Sequence, residues 1–329
     1  MSDFAWLSAG EIVEGVKKKK FSATEVTKAS ISRMETLDKE LHAYCTPTPE
    51  LALKAAKEVD DKISNNKNPG PLAGVPVGIK DLVCSKGIKT VSGSYFYKDF
   101  VPEEDDVSVE RLINAGAIVL GKTNVPEFGY SGVGHNPVFE TTRNPWNTDL
   151  TPGGSSAGSC ASVITGVSPF AIASDGGGSI RIPSSLSGTY GMKASMGRVP
   201  LYPGCRDERY PGVSSWESIE HIGPVSRTVR DAALMLSVIT GPDDRDRHSL
   251  PKADFDWVES AKPDVKGCKV GFSLDLGYAA VDEDVKEIIL KAAKVFEKDL
   301  GCEVIEDNPG WKNPYNDFWA LVVLESDLK

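Results

Sequence analysis

The chain has 329 residues, 40% hydrophobic and 26% charged, a composition that supports a sizeable folded core and excludes wholesale disorder. Its net charge of −10 excludes the basic footprint on which nucleic-acid binding depends. The six cysteines form no C-x-x-C pair and no ligand-spaced cluster with the four histidines, which argues for free thiols in a reducing compartment and against a metal centre.

In chain order, the first sixty residues read as helices. Ser8-Ala9-Gly10-Glu11 and Ser22-Ala23-Thr24-Glu25 both have the form of a capping box, and Phe21 with Val26 adds a hydrophobic staple to the second. The basic run Lys17 to Lys20 suits a solvated helix C-terminus, where cations complement the dipole. A third helix is predicted over residues 50–62 and closed by the turn-rich stretch 64–70, so the N-terminal helical segment covers about residues 1–64.

From Pro71 the texture changes. Val75-Pro76-Val77-Gly78-Ile79 is short, apolar and rich in β-branched residues, a strand running into Lys80-Asp81. A helix over 108–115 and a buried strand over 117–120 follow, then a Gly/Asn/Pro/Thr-rich loop over 129–158. Residues 159–166 read as a short buried helix and 170–173 as a strand. Loops then continue beyond Ser179 to Gly223-Pro224. A helix over 229–239 stops at Gly241-Pro242, and a strand (268–272), a periodic amphipathic helix (282–300) and another strand (302–305) come after it. Strands alternating with helices indicate an α/β sheet.

The chain is expected to form a single domain over residues 1–329, with a weaker candidate boundary in the polar stretch 243–262. Its last segment, 318–329, reads as an apolar helix that stops without a cap, as expected of a chain cut short at its C-terminus. The N-terminus lacks a basic region followed by an apolar one, and no apolar run could span a bilayer. A cytoplasmic protein without membrane association is expected.

The chemistry concentrates between Pro152 and Pro183. Pro152-Gly153-Gly154-Ser155-Ser156 and Asp175-Gly176-Gly177-Gly178-Ser179 are two glycine-rich turns flanking one helix and one strand, and each delivers a serine. Consecutive glycines let the backbone turn tightly and aim successive N–H groups at one point, as a tetrahedral oxyanion needs. A serine closing that row is placed to act as nucleophile but requires a base. His42, His135, His221 and His248 sit in no triad motif, whereas Lys80 ends an apolar strand where desolvation favours its neutral form. Taken singly, each turn serves equally well as a structural loop, and an isolated lysine is more often a surface residue. Neither turn has the phosphate-cradling G-x-x-x-x-G-K-[ST] arrangement.

Taken together, Gly78-Ile79-Lys80-Asp81, Gly121-Lys122-Thr123-Asn124, Pro152 to Ser156, Asp175 to Arg181, Gly197-Arg198-Val199-Pro200 and His221-Ile222-Gly223-Pro224 resemble the amidase signature family. The resemblance runs from about residue 8 to the end of the chain. It implies an α/β fold in which a large mixed β-sheet is covered by helices on both faces. It also implies a Ser–Ser–Lys relay: Lys80 as base, Ser155 as a bridging serine on a cis peptide, and Ser179 as nucleophile. The backbone of Gly176, Gly177, Gly178 and Ser179 would hold the oxyanion, and Gly129 would line the substrate site.

Ala157, Ser174 and Ala194 stand where the family commonly has glycine, threonine and proline. The implied reaction is hydrolysis of a small-molecule amide without a cofactor, with a homodimer left open. Gly197 to Gly204 followed by Trp216 looks more like stand-alone amidases. The alternatives are the glutaminase component of a tRNA-dependent amidotransferase, which works on glutamine with a partner, and a non-catalytic protein on the same fold.

Overall fold

The computed structural model describes residues 4–204, 218–262 and 264–325. By contacts the chain divides into two compact units, Met1–Ala261 and Lys262–Lys329.

The first unit opens with helices α1 (Ala9–Lys17) and α2 (Ala23–Leu41), and both capping boxes form. Ser8 Oγ accepts from the Glu11 N–H at 3.2 Å while the Glu11 carboxylate accepts from the Ser8 N–H at 2.8 Å. Ser22 and Glu25 repeat the exchange at 3.0 and 2.8 Å. Phe21 turns its ring edge-on to Phe4 and over Gly15, which has no Cβ to obstruct it. Strand β1 (Tyr44–Pro47) then interrupts the helical segment, where the sequence had read only helices, and α3 (Pro49–Ser64) resumes it.

The remaining elements are β2 (Pro76–Lys80), α4 (Val107–Asn114), β3 (Ile118–Thr123), α5 (Ala157–Ile164), β4 (Phe170–Ser174), α6 (Arg181–Ser187), β5 (Tyr190–Gly191), β6 (Ile222–Ser226) and α7 (Val229–Ile239). Among the described residues the strands form a six-stranded mixed sheet in the order β1-β3-β2-β4-β6-β5. The central strands β3, β2 and β4 run parallel, and β1, β6 and β5 join antiparallel. Helix α6 and strands β5 and β6 lie where loops were expected.

Alternate residues of β4 show why the sheet is covered on both faces. Phe170 and Ile172 join Val77, Ile79, Ile12, Leu112 and Met235 in the main core, so that face packs on α1, α4 and α7. Ala171 and Ala173 point the other way, to Cys160 and Val163 of α5 and to Ile180 and Val225. Every residue of β2 and β4 is buried, as expected of central strands sandwiched between helical layers.

The second unit contains β7 (Lys269–Phe272), α8 (Glu283–Lys298), β8 (Glu303–Glu306) and α9 (Tyr315–Glu325). The pair β7 and β8 is parallel, with Lys269 opposite Glu303 and Phe272 opposite Glu306, so α8 is the crossover of a βαβ unit. The last four positions of the expected terminal helix, 326–329, lie outside the described residues. Among the described residues no helix is long and apolar enough to cross a membrane, and Cys45, Cys84, Cys160, Cys268 and Cys302 are free thiols. Cys205 and Trp216 lie outside the described residues.

Candidate active site

The site sits at the carboxyl ends of β2 and β4, where open parallel sheets commonly bind ligands. Lys80 is the last residue of β2 and is 0% exposed, wholly enclosed where an isolated lysine is more often at the surface. Its Nζ donates to Ser155 Oγ at 2.7 Å, to the Ser174 carbonyl at 3.0 Å and to Ser174 Oγ at 2.8 Å. The adjacent Asp81 faces away from it. The Asp81 carboxylate accepts from the Val91 N–H at 3.1 Å, and burial pushes it up to about 7 although Lys122 opposes that rise.

Ser155 reaches Lys80 from the turn that opens α5, and the Gly154–Ser155 peptide is cis. Gly129 lies directly against it. A Cβ at Gly129 would come within 3.3 Å of Ser155 Oγ and 2.8 Å of Leu82 Cδ1, and its φ of +76° favours glycine. Gly129 therefore stands beside the expected relay, its backbone close to the bridging hydroxyl.

Ser179 belongs to the second glycine turn. Its carbonyl accepts from the Ser156 N–H at 3.3 Å, which ties the two serine-bearing turns together through the backbone. Ser179 is half-buried, and among the described residues its hydroxyl makes no hydrogen bond. The structure thus joins Lys80 to Ser155 by a side-chain bond and brings Ser179 beside them through its main chain.

Asp175 shapes this turn. Its Oδ1 accepts from the Gly178 N–H at 2.7 Å, and its Oδ2 accepts from the Ile180 N–H at 3.1 Å. Arg181 grips the same carboxylate with both arms of its fork, Nε to Oδ2 at 2.9 Å and Nη2 to Oδ1 at 2.8 Å. Burial alone would raise the Asp175 carboxyl, but Arg181 and the backbone N–H groups outweigh it and hold the group at about 2.

This geometry revises one expectation. The Gly178 N–H already donates to Asp175, so Gly178 shapes the turn through its φ of +120° and does not offer a free donor. The N–H groups of Gly176, Gly177 and Ser179 have no hydrogen-bond acceptor among the described residues.

Lys122, from the Gly121-Lys122-Thr123-Asn124 motif, is a second fully buried lysine. It donates to the Val83 carbonyl and, at 3.1 Å each, to Ser85 Oγ and Thr90 Oγ1. It braces the 83–92 loop behind Lys80, which accounts for the motif without a chemical step. Two side chains near Lys80 had no assigned role in the sequence: Ser174, noted there only as a small substitute for threonine, and Glu220 at the entry to β6.

A fully buried lysine bonded to one serine thus lies beside a glycine turn that ends in a second serine. Residues 25–326 match the family profile described as Amidase, and the chain belongs to the amidase signature family. It is 44% identical over 292 residues to the A subunit of the glutamyl-tRNA(Gln) amidotransferase of Carboxydothermus hydrogenoformans, covering 89% of this chain and 59% of that protein. It is 37% identical over 315 residues to an acylamidase of Rhodococcus erythropolis, covering 96% of this chain and 64% of that one. Among solved structures, a bacterial aryl acylamidase of the amidase signature family superposes with a TM-score of 0.90 at 34% identity, covering 98% of this chain and 66% of that one. The chain therefore spans somewhat less than two thirds of the length of these relatives.

Proposed function

We propose that the protein is an amidase that hydrolyses a small-molecule carboxylic amide to acid and amine through a Ser179–Ser155–Lys80 relay. One observation carries this reading: a fully buried lysine whose Nζ lies 2.7 Å from the hydroxyl of a serine in the adjoining glycine turn. Neutral Lys80 takes a proton from Ser155, which takes one from Ser179 as the Ser179 Oγ attacks the carbonyl carbon. The N–H groups of Gly176, Gly177 and Ser179 receive the oxyanion. The proton returns along the relay to the leaving amine, and water activated by the same groups releases the acid from the acyl-enzyme. No step requires a metal or an organic cofactor.

The likeness to the glutamyl-tRNA(Gln) amidotransferase protein supports a second reading with equal weight: the same relay acting on glutamine for a partner protein. The stand-alone reading draws on the aryl acylamidase and acylamidase likenesses and on apolar side chains at the site, Leu82 against Gly129 and Ile182 against Gly178. On that reading the isolated protein hydrolyses aryl and aliphatic amides and turns over glutamine poorly. A substrate screen with and without the partner protein of a tRNA-dependent amidotransferase separates the two. Strong glutaminase activity appearing only with the partner would establish the amidotransferase role.

A further inference from the structure

Lys80 is held between two hydroxyls that are not equivalent. A neutral lysine nitrogen has two N–H bonds and one lone pair to direct. The Ser174 carbonyl, 3.0 Å from Nζ, can only accept and so takes one N–H. The bond between Nζ and Ser174 Oγ, at 2.8 Å, then decides where the lone pair points. If the Ser174 hydroxyl gave its proton to Lys80, the lone pair would be used there and Ser155 would face an N–H, with no base to take its proton. If the Ser174 proton goes elsewhere, Oγ accepts the second N–H and the lone pair faces Ser155.

Glu220 offers the other destination. Ser174 pairs with Ile222 across the antiparallel β4–β6 ladder, and Asp175 and His221 exchange both backbone hydrogen bonds at 2.8 and 3.1 Å. Glu220 lies just before β6, one residue beyond the Asp175–His221 pair, and continuing the alternation of the strand brings it to the face of Ser174 and Ile222, at the diagonal position a long side chain can bridge. There its carboxyl lies close enough to Ser174 and Lys80 to be influenced by both, although among the described residues no hydrogen bond joins it to Ser174 Oγ. Burial raises this carboxyl, and Lys80 and Ser174 partly offset the rise.

We propose that Glu220 is a positioning residue: its carboxylate accepts the Ser174 proton and so fixes Lys80 with its lone pair on Ser155. The proposal rests on the relay reading above. Among the described residues, the other charged or titratable groups at this corner include Asp175, clamped by Arg181, the buried Cys160 thiol of α5, and His221, whose ring nitrogen lies 2.6 Å from the Ile219 carbonyl, with Lys193 near it.

The test is the pH profile of the rate at which a fluorophosphonate labels the whole protein. In that reaction the Ser179 Oγ bonds to phosphorus, fluoride leaves and the Ser179 proton passes to Lys80 through Ser155, so no amide substrate need be known. Glu220→Leu removes the acceptor and is expected to lower the plateau rate by about 10- to 100-fold, the range typical of lost orienting partners. Glu220→Gln keeps an oxygen that can accept the Ser174 proton and is expected to stay within about threefold of wild type. Both lose a negative charge that favours the charged lysine, so in both the acidic limb should move to lower pH.

A Glu220→Leu plateau and limb equal to wild type, with Lys80→Met inert to the probe, would overturn the role of Glu220 and leave the relay standing. Wild-type labelling of Lys80→Met would overturn the relay itself. If circular dichroism shows Glu220→Leu unfolded, Glu220→Gln decides alone: an unmoved limb rejects the proposal.

Discussion

Lys80→Met is expected to lower kcat for amide hydrolysis by roughly 10²- to 10⁴-fold, the span associated with losing a general base. Methionine keeps most of the buried volume, so the loss should not come from packing. The residue is fully enclosed, and its nitrogen bonds Ser155 and Ser174. Burial disfavours the charged form of a lysine, and only the neutral form can take a proton. Wild-type activity should therefore rise with pH along an acidic limb of kcat/KM, and that limb should vanish in Lys80→Met. Near-normal hydrolysis with the wild-type pH profile would show that another group is the base.

Asp175→Asn is expected to damage both activity and stability. The carboxylate takes the Gly178 and Ile180 N–H groups and both arms of Arg181, a set that one amide oxygen and one NH₂ group cannot reproduce. The turn that carries Ser179 should shift, and displacements of about 1 Å at a reacting centre can cost about 10²-fold in rate.

The pH dependence of stability follows from the sign of the Asp175 shift. Its carboxyl stands at about 2 in the folded chain against an ordinary value of 3.8, so its stabilisation is present above pH 3.8 and is lost as pH falls through 2. At ~1.36 kcal/mol per unit, and trimmed by the exposure of Arg181, that is at most about 2 kcal/mol. Urea melts at pH 7 and pH 3 should show Asp175→Asn less stable than wild type at pH 7 and the gap narrowing at pH 3. An equal gap at both would mean the carboxylate is not held by its partners.

The parts of this fold that follow local rules were legible in the sequence. The Ser8/Glu11 and Ser22/Glu25 boxes announced α1 and α2, and the apolar run into Lys80 announced β2. Strand β6 was hidden because Ile222-Gly223-Pro224-Val225-Ser226 carries a glycine and a proline, both of which demote a strand reading. It forms because β4 and β5 supply a ladder on either side. Helix α6, with Pro183 and three serines, has little intrinsic helical preference and is set by the turn around Asp175.

The same limits governed the site. Lys80, Ser155 and Ser179 stood out because each ends or follows a distinctive local motif. Glu220 could not be associated with Lys80 while β6 was read as loop, since only the β4–β6 register brings it near Ser174. The engagement of the Gly178 N–H by Asp175 was invisible for a related reason. Three glycines in a row indicate a turn with available donors, but which donor the preceding carboxylate takes depends on the path of that turn.

The central claim is that Ser179 is the nucleophile of this site, and peptide mass spectrometry after fluorophosphonate treatment tests it most directly. The expected result is a single adduct on the peptide containing Ser179, absent from Ser179→Ala. An adduct on Ser155 or on a cysteine, with the Ser179 peptide unmodified, would contradict it.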